Sequence, residues 1–361
     1  MTRVLLLFGG ESAEHAVSLT SAAAVLSALD RDRYTVYPVY ITERGGWLYL
    51  PRLKAAALSD AAEREEGRIA LIRRGFPCTL SANRHRDGLF YEIGGMLRHL
   101  RPDAILPLTH GGAGEDGRLF GLLSLSGIPY VGGGTAAAAM AMDKAAAKTA
   151  LSAIGIPTLP FVTASPDEGA DMDALLSRVT GTLSFPLFCK PNSGGSSVGA
   201  AVAMTEADFP RAFRTAAATG DRVLIEPYFP ARELEVAVLA HGGGALEIAP
   251  AAEIRPPAGR FYDYAAKYET AEATLLTVAP ISPACDTRVR AYAEKAFRAL
   301  GIRSLARIDF FLSREDESLL YFNEINLLPG MTAVSMFPRA MTRTRSFSDL
   351  LSLLIEGAES P

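Results

Sequence analysis

Residues 4–8, Val-Leu-Leu-Leu-Phe, run straight into Gly9-Gly10, and this short apolar segment constrains the fold more than any other. Five aliphatic and aromatic residues closed by glycine are too few for a helix and leave no polar face. They predict a strand buried on both sides, as in a parallel sheet. SLTSAAAVLSAL (18–29) has helical character, and TVYPVYI (35–41) reads as a second strand. That β-loop-α-β order is the start of a doubly wound α/β unit. DAILPL (103–108) is another buried strand and runs into the loop THGGAGEDG (109–117). RLFGLLSLSG (118–127) gives a helix that Gly127 can close.

At 361 residues the chain exceeds one ordinary core, so two or three domains are expected. Alanine-rich 135–155 predicts one long helix, and the two prolines of GIPTLPF (155–161) break it and mark a boundary. A smaller α/β unit follows over about 160–230, with strands at 185–190 and 223–228 and a helix at 205–218. A third region opens at 233–240. It continues through a helix near 287–300 and the paired strands SLARIDFFL (304–312) and SLLYFNEIN (318–326), and ends in a helix at 346–356. Residues 51–100 carry no clear pattern.

Bulk properties exclude some classes. A net charge of −4 gives no electrostatic reason to expect nucleic acid or an anionic membrane. Cys78, Cys189 and Cys285 are scattered without metal-type spacing, which suits a reducing cytosol. The N-terminus lacks the apolar stretch of a signal peptide, and no run reaches membrane-span length. A cytoplasmic enzyme is the expectation. Only six of the 36 basic residues are lysines (54, 144, 148, 190, 267 and 295), so each lysine is a slightly better functional candidate.

KPNSGGSSVGA (190–200) is the densest glycine–serine segment. Its lysine precedes the glycines, so it is not a P-loop, and the spacing is not GxGxxG. Two readings stay open on the residues alone: a plain hairpin turn, or a strand-ending cation with a flexible loop that folds over phosphates. Asp309, Glu324 and Asn326 lie on two neighbouring strands, and alternation puts 324 and 326 on one face. Hard oxygen donors of this kind suit magnesium with a nucleoside triphosphate, or form a solvated strand face. Arg307 shares the face of Asp309 and is either a surface ion pair or a cation for developing negative charge.

The ordered set FGGESAEHAVSL (8–19), HGGAGEDG (110–117), MDK (142–144), KPNSGGSSVG (190–199), FYDYAAKY (261–268), ARIDF (306–310) and NEINLLPGMT (323–332) resembles the D-alanine–D-alanine ligases of the ATP-grasp superfamily. The resemblance implies an α/β protein in three domains: an N-terminal doubly wound substrate-binding domain at 1–135, a central domain at 136–230 and a C-terminal domain at 231–361, the last two enclosing ATP. It implies ligation of two D-alanines through an acyl phosphate, for peptidoglycan precursor synthesis. By matching position, Lys144 and Lys190 would contact the α- and β-phosphates, Glu226 the adenine amino group and Glu233 the ribose. Lys267 would reach the γ-phosphate, and Asp309, Glu324 and Asn326 would bind two magnesium ions, with manganese as a substitute. Glu14 would receive the first ammonium group, with Ser196 and Tyr268 hydrogen-bonded to it and Ser18 behind. His110 would lie near the first substrate, Arg307 and Gly330 N–H would form the oxyanion site, and Ser335 would bind the second carboxylate. A homodimer is also carried over.

Departures from the family pattern are Ala16, where an acid is common, and Leu327, where threonine is usual. The nearest rivals are D-alanine–D-lactate and D-alanine–D-serine ligases. In the lactate enzymes a histidine tends to replace the tyrosine that AAKY keeps as Tyr268. Another carboxylate–amine ligase would share the nucleotide and metal residues but not need the Glu14, Ser196 and Tyr268 set, and a nucleotide-binding regulator without catalysis would not need the intact metal triad and Arg307.

Overall fold

The computed structural model describes residues 1–195, 198–241, 244–255 and 274–358. Its first sheet is built from β1 (Thr2–Gly9), β2 (Tyr34–Ile41), β3 (Trp47–Tyr49), β4 (Phe76–Leu80), β5 (Leu89–Ile93), β6 (Met96–Leu100) and β7 (Ala104–Pro107), in the order β6-β5-β4-β3-β2-β1-β7. The apolar run does what its composition predicts. Val4 to Phe8 have no solvent contact, and β1 pairs in parallel with β2 on one side and β7 on the other. Each such side chain contributes about 1.5–3 kcal/mol relative to exposure.

Strands β3 to β6 pair antiparallel and extend that parallel core. Of these, β4 to β6 come from 51–100, the stretch whose sequence shows no pattern, together with α2 (Ala55–Glu63) and α3 (Glu65–Arg74), which follow α1 (His15–Ala28) in the chain. The reason is exposure: β6 is solvent-facing on nearly every residue, so neither two- nor 3.6-residue periodicity survives there.

Beyond β7 lie α4 (Arg118–Ser126), α5 (Thr135–Met142) and α6 (Lys144–Ala153). Gly127 closes α4 with a φ of 73°, as expected. The single helix expected over 135–155 is instead two. Asp143 takes extended backbone, and its side chain accepts the Ala146 N–H at 2.9 Å, so it caps a new helix rather than continuing the old one.

The second sheet runs β10-β9-β11-β8, from β8 (Val162–Ala164), β9 (Leu187–Pro191), β10 (Ala201–Ala203) and β11 (Val223–Pro227). It packs against α7 (Met172–Thr180) and α8 (Phe209–Ala217) around a core that includes Leu175, Val179, Phe209 and Phe213. The third sheet runs β15-β14-β12-β16-β17. Its strands are β12 (Ala231–Ala240), β13 (Leu246–Ile248), which pairs with β12, then β14 (Ala252–Arg255), β15 (Thr274–Leu276), β16 (Leu305–Ser313) and β17 (Leu320–Asn326).

Helix α9 (Pro283–Ala299) starts before its expected position because Ser282 caps it, accepting Cys285 N–H at 3.2 Å, with proline at its start. Helices α10 (Met336–Met341) and α11 (Phe347–Glu356) close the described chain. One continuous core joins Leu5 and Ile105 of the first sheet to Leu234, Ile308 and Ile325 of the third. Among the described residues no helix is long and apolar enough to cross a membrane.

Candidate active site

The paired strands β16 and β17 set the centre of the site. Arg307 faces Asn326 and Asp309 faces Glu324 across the ladder, while Glu235 of β12 faces Asp309 from the other side. Since these positions share a sheet face, three carboxylates stand in a row across three strands. Like charges directly opposite are unfavourable, so the row requires cations. Arg307 is one: its Nε and Nη2 donate to Asp309 Oδ1 and Oδ2 at 2.9 and 2.7 Å, and Nε lies 3.2 Å from Glu235 Oε1. Burial alone would lower its pKa, but Asp309 and Glu235 outweigh burial and raise it, so the guanidinium stays charged. Lys144 Nζ is another, 3.5 Å from Glu324 Oε2. A bulge after Asp309 shifts the register, and both Asn323 and Glu324 line the adjoining cavity.

That cavity, about 560 Å³, lies between the second and third sheets. Lys144, Lys190, Glu233, Asp309 and Glu324 line it, with Gly194, Gly195 and Phe188. Local structure explains why two lysines meet there. Asn192, at the end of β9, accepts the first backbone N–H groups of α6: Lys144 N to its carbonyl (3.1 Å) and Ala145 N to its Oδ1 (3.0 Å). The helix start that carries Lys144 is thereby joined to the strand that carries Lys190. Lys144 Nζ also donates to Gly194 O at 2.5 Å, across the glycine loop. The loop does connect two antiparallel strands, β9 and β10. Gly194 and Gly199 take φ values of 109° and 76°, which only glycine adopts readily.

A second cavity of about 430 Å³ adjoins the first and shares Gly195, Glu235 and Glu324 as wall residues. It is lined by Glu14, His110, Arg307, Gly330 and Ser335, which the family resemblance grouped as amino-acid and oxyanion residues, and by the metal-ligand candidate Asn326. Glu14 Oε2 lies where a methyl group on Gly111 would come within 2.7 Å, and one on Gly195 within 3.6 Å. The phosphate-loop candidate and the amino-acid side therefore meet at Glu14.

The structure gives three of the expected residues partners of their own. Glu226 is fully buried and is not among the groups lining either cavity. Its two oxygens take Lys148 Nζ at 2.5 Å and Lys190 Nζ at 2.7 Å. Burial would push its carboxyl up, but the two ammonium groups outweigh that and hold it at about 2. Ser18 does not back Glu14 with its hydroxyl. It accepts Gly9 N–H and donates to Leu108 O, both at 2.7 Å, tying the ends of β1 and β7. His110 is buried with both ring nitrogens engaged, Nδ1 to Leu328 O (2.9 Å) and Nε2 to Ser21 Oγ (3.1 Å). Burial keeps its pKa low despite Glu14. Ser196, Lys267 and Tyr268 lie outside the described residues.

Sequence reasoning missed Lys148, Asn192, Glu235 and Glu115. Lys148 carried a signal, since it is one of few lysines and stands one helical turn after Lys144. Glu235 alternates with Glu233 on a strand and was legible by parity. Glu115 accepts Gly111 N–H at 2.8 Å and Leu328 N–H at 3.3 Å, and nothing in its spacing announced a partner 213 residues away. The departure at Leu327 has a packing reason. Its side chain is buried against Gly133, where a methyl group would approach within 2.4 Å.

Asp309, Glu324 and Asn326 fit a divalent cation by donor chemistry: two carboxylates and an amide on adjacent strands, with Asn326 Nδ2 donating to Asp309 Oδ2 at 3.1 Å. Among the described residues no cluster of three or more His, Cys, Asp or Glu side chains is placed to hold a metal ion by itself. The remaining ligands would have to come from substrate and water, which is usual for magnesium.

A lysine-lined cavity held between two sheets, beside a parallel α/β unit, defines a protein of the ATP-grasp class. Residues 3–133 match the family described as D-ala D-ala ligase N-terminus, and residues 150–356 that described as D-ala D-ala ligase C-terminus. The chain belongs to the D-alanine–D-alanine ligase family. It is 40% identical to the D-alanine--D-alanine ligase of Methylobacterium sp. (strain 4-46), over 93% of this chain and 85% of that one. It is 38% identical to that of Thermoanaerobacter sp. (strain X514), over 98% and 95%. Among solved structures it resembles the VanG D-Ala:D-Ser ligase from Enterococcus faecalis, with a TM-score of 0.85, 29% identity and 98% of each chain covered. The D-alanine-D-alanine ligase from Coxiella burnetii gives a TM-score of 0.79 at 29% identity, over 99% of this chain and 95% of that one.

Proposed function

We propose that the protein joins two D-alanine molecules, using ATP and releasing ADP and phosphate, to supply a peptidoglycan precursor in the cytoplasm. The observation that carries this reading is the common wall between the two cavities. Lysines stand on one side of it, and Glu14, Arg307 and Ser335 on the other, so a phosphoryl donor and a carboxylate acceptor would meet at Glu235 and Glu324. The first cavity has the volume of an ordinary cofactor site.

In the proposed sequence, Lys144 and Lys190 hold the nucleotide's phosphates, and Glu233 its ribose. Glu14 receives the ammonium group of the first D-alanine. The carboxylate of that D-alanine attacks the γ-phosphorus, the bond to the ADP oxygen breaks, and an acyl phosphate forms. The amine of the second D-alanine, positioned by Ser335, attacks the acyl carbon. Arg307 and the Gly330 N–H stabilise the tetrahedral oxyanion, which collapses as phosphate leaves and the amine loses a proton. Both transition states gather negative charge, so preorganised cations and N–H donors supply the catalysis, and no nucleophilic side chain is needed. Asp309, Glu324 and Asn326 would hold magnesium, two ions in this reading. When bound, the metal supplies charge neutralisation on the transferring phosphoryl group. Ser196 and Tyr268 would brace Glu14 while Lys267 reaches the γ-phosphate, which keeps water from the acyl phosphate.

Domain limits at 1–135, 136–230 and 231–361 are supported by the strands of the three sheets, which come from 2–107, 162–227 and 231–326. A homodimer belongs to the same reading. The likeness to a D-Ala:D-Ser ligase structure makes D-serine the rival second substrate. The test is phosphate release from Mg-ATP with D-alanine, D-serine, D-lactate and L-alanine, alone and with each paired to D-alanine. Turnover with D-alanine alone, yielding the dipeptide, is the expected result. A requirement for D-serine or D-lactate would reassign the second site, and no D-alanine dependence would end the ligase reading.

A further inference from the structure

The segment Leu327–Met331 is held from outside itself by three side chains of the first α/β unit. Glu115 Oε1 accepts the Leu328 N–H (3.3 Å), and His110 Nδ1 bonds Leu328 O (2.9 Å). Ser21 Oγ, on α1, accepts the Met331 N–H (3.2 Å) and lies 3.1 Å from His110 Nε2. Hydrogen-bond logic fixes the protons. A carbonyl only accepts, so Nδ1 carries the imidazole hydrogen. Nε2 is then an acceptor, and the Ser21 hydroxyl donates to it while accepting from Met331. Ser21 and His110 are buried, and Glu115 is anchored in turn by the Gly111 N–H (2.8 Å). Within this frame lie Pro329, which has no N–H, and Gly330. Gly330 has no room for a side chain, because a methyl group would sit 2.7 Å from Ser335 Oγ.

We propose that Ser21, His110 and Glu115 form a frame that aims the Gly330 N–H at the reacting carbonyl, so that Ser21 and Glu115 are positioning residues for the ligation step. The inference rests on the oxyanion role given above to Gly330. An N–H donor stabilises an oxyanion only when held at the right point, and small displacements are costly. Leu328, just before Pro329, is gripped at both its N–H and its C=O, and Met331, just after Gly330, is gripped as well. A loop of five residues fixed at both ends keeps little freedom to turn Gly330 away. Glu115 suits this task because each of its oxygens accepts one backbone N–H, which a glutamine could do only on one side.

The test uses Ser21→Ala and Glu115→Gln, with Ser126→Ala as a control. Ser126 is a buried serine of α4 that only bonds Leu123 O and Ile128 N. In both frame variants kcat is expected to fall about 10- to 100-fold, and KM for D-alanine to rise, while KM for ATP stays within about twofold. Hydrogen–deuterium exchange should quicken over 327–335. The control should lose stability without changing either KM. Unchanged kinetics in the frame variants, or the same change in the control, would overturn the proposal. If the wild type shows no D-alanine turnover, the ligase reading fails separately. Exchange over 327–335 then still decides the frame, and unaltered exchange in both variants rejects it.

Discussion

Lys148 Nζ lies 2.5 Å from Glu226 Oε2 in the interior, and the same carboxylate takes Lys190 Nζ at 2.7 Å through its other oxygen. Lys148 and Glu226 have almost no solvent contact. One carboxylate thus steadies two ammonium groups, of which Lys190 lines the first cavity and Lys148 does not. Removing one partner of a buried pair leaves the other uncompensated, at a cost of about 3–5 kcal/mol.

Lys148→Met should therefore destabilise the protein by about 3 kcal/mol or more, and it should raise KM for ATP because Glu226 then draws on Lys190 alone. Lys148→Met combined with Glu226→Leu should recover part of the stability but not the affinity for ATP. Urea unfolding of the three variants and ATP titrations check this. A single variant as stable as the wild type would show the pair to be incidental.

Asp309 is bonded by Arg307 in two places and by Asn326 Nδ2, so its charge serves both a guanidinium and any bound cation. Asp309→Asn is expected to lower turnover by about 100-fold or more, since a bound cation supplies several kcal/mol to a phosphoryl-transfer transition state. The magnesium concentration for half-maximal rate should rise with it. Activity measured against magnesium decides the point, and a superimposable metal curve would remove Asp309 from the ligand set.

What the sequence made legible has a common physical cause. The β1 run, the β16–β17 pair and the grouping of Arg307, Asp309, Glu324 and Asn326 all follow from strand alternation and from burial, which act over neighbouring residues. The break at Asp143 was readable in principle, because an aspartate three residues before a satisfied N–H is an N-cap, but the ten alanines of 135–155 masked the signal. Glu115 on Leu328 and His110 on the same residue were not legible. Their partners are more than 200 residues away, and only the completed fold brings them together. The family resemblance placed Glu226 near a nucleotide, but it did not reveal that two lysines would occupy its oxygens.

Gly330→Ala tests the oxyanion loop directly. The new methyl group would meet Ser335 Oγ at 2.7 Å, well inside van der Waals contact, so the loop or Ser335 must move. Ser335 Oγ also bonds Thr332 N and Thr332 Oγ1 at 3.2 and 2.8 Å, which resists a simple rotation. A rise of about tenfold in KM for D-alanine and a drop of about 10- to 100-fold in kcat are expected, with ATP binding unchanged. Initial rates against each substrate separate these effects. A variant with wild-type D-alanine kinetics would place the reacting carbonyl elsewhere.

Glu115 gives a prediction about pH. Burial, followed by the charge of Glu14, pushes its carboxyl up to about 8, against the pull of the Gly111 and Leu328 N–H groups and Arg307. Its ordinary value is near 4.5, so between 4.5 and 8 the folded protein holds a proton that the unfolded chain has released. A folded-state pKa raised in this way contributes stability that is complete below 4.5 and is lost as pH rises through about 8. Glu115→Gln cannot ionise, and it gives up one of the two backbone acceptors at every pH. Its stability relative to the wild type should be lowest near pH 5 and should improve steadily toward pH 8.5, where the wild type carries a buried charge beside Glu14. Urea midpoints for the two proteins at half-unit steps measure that difference, and other titrating groups cancel in the comparison. A difference constant with pH would mean that Glu115 is ionised throughout, held by its two N–H donors strongly enough to overcome burial.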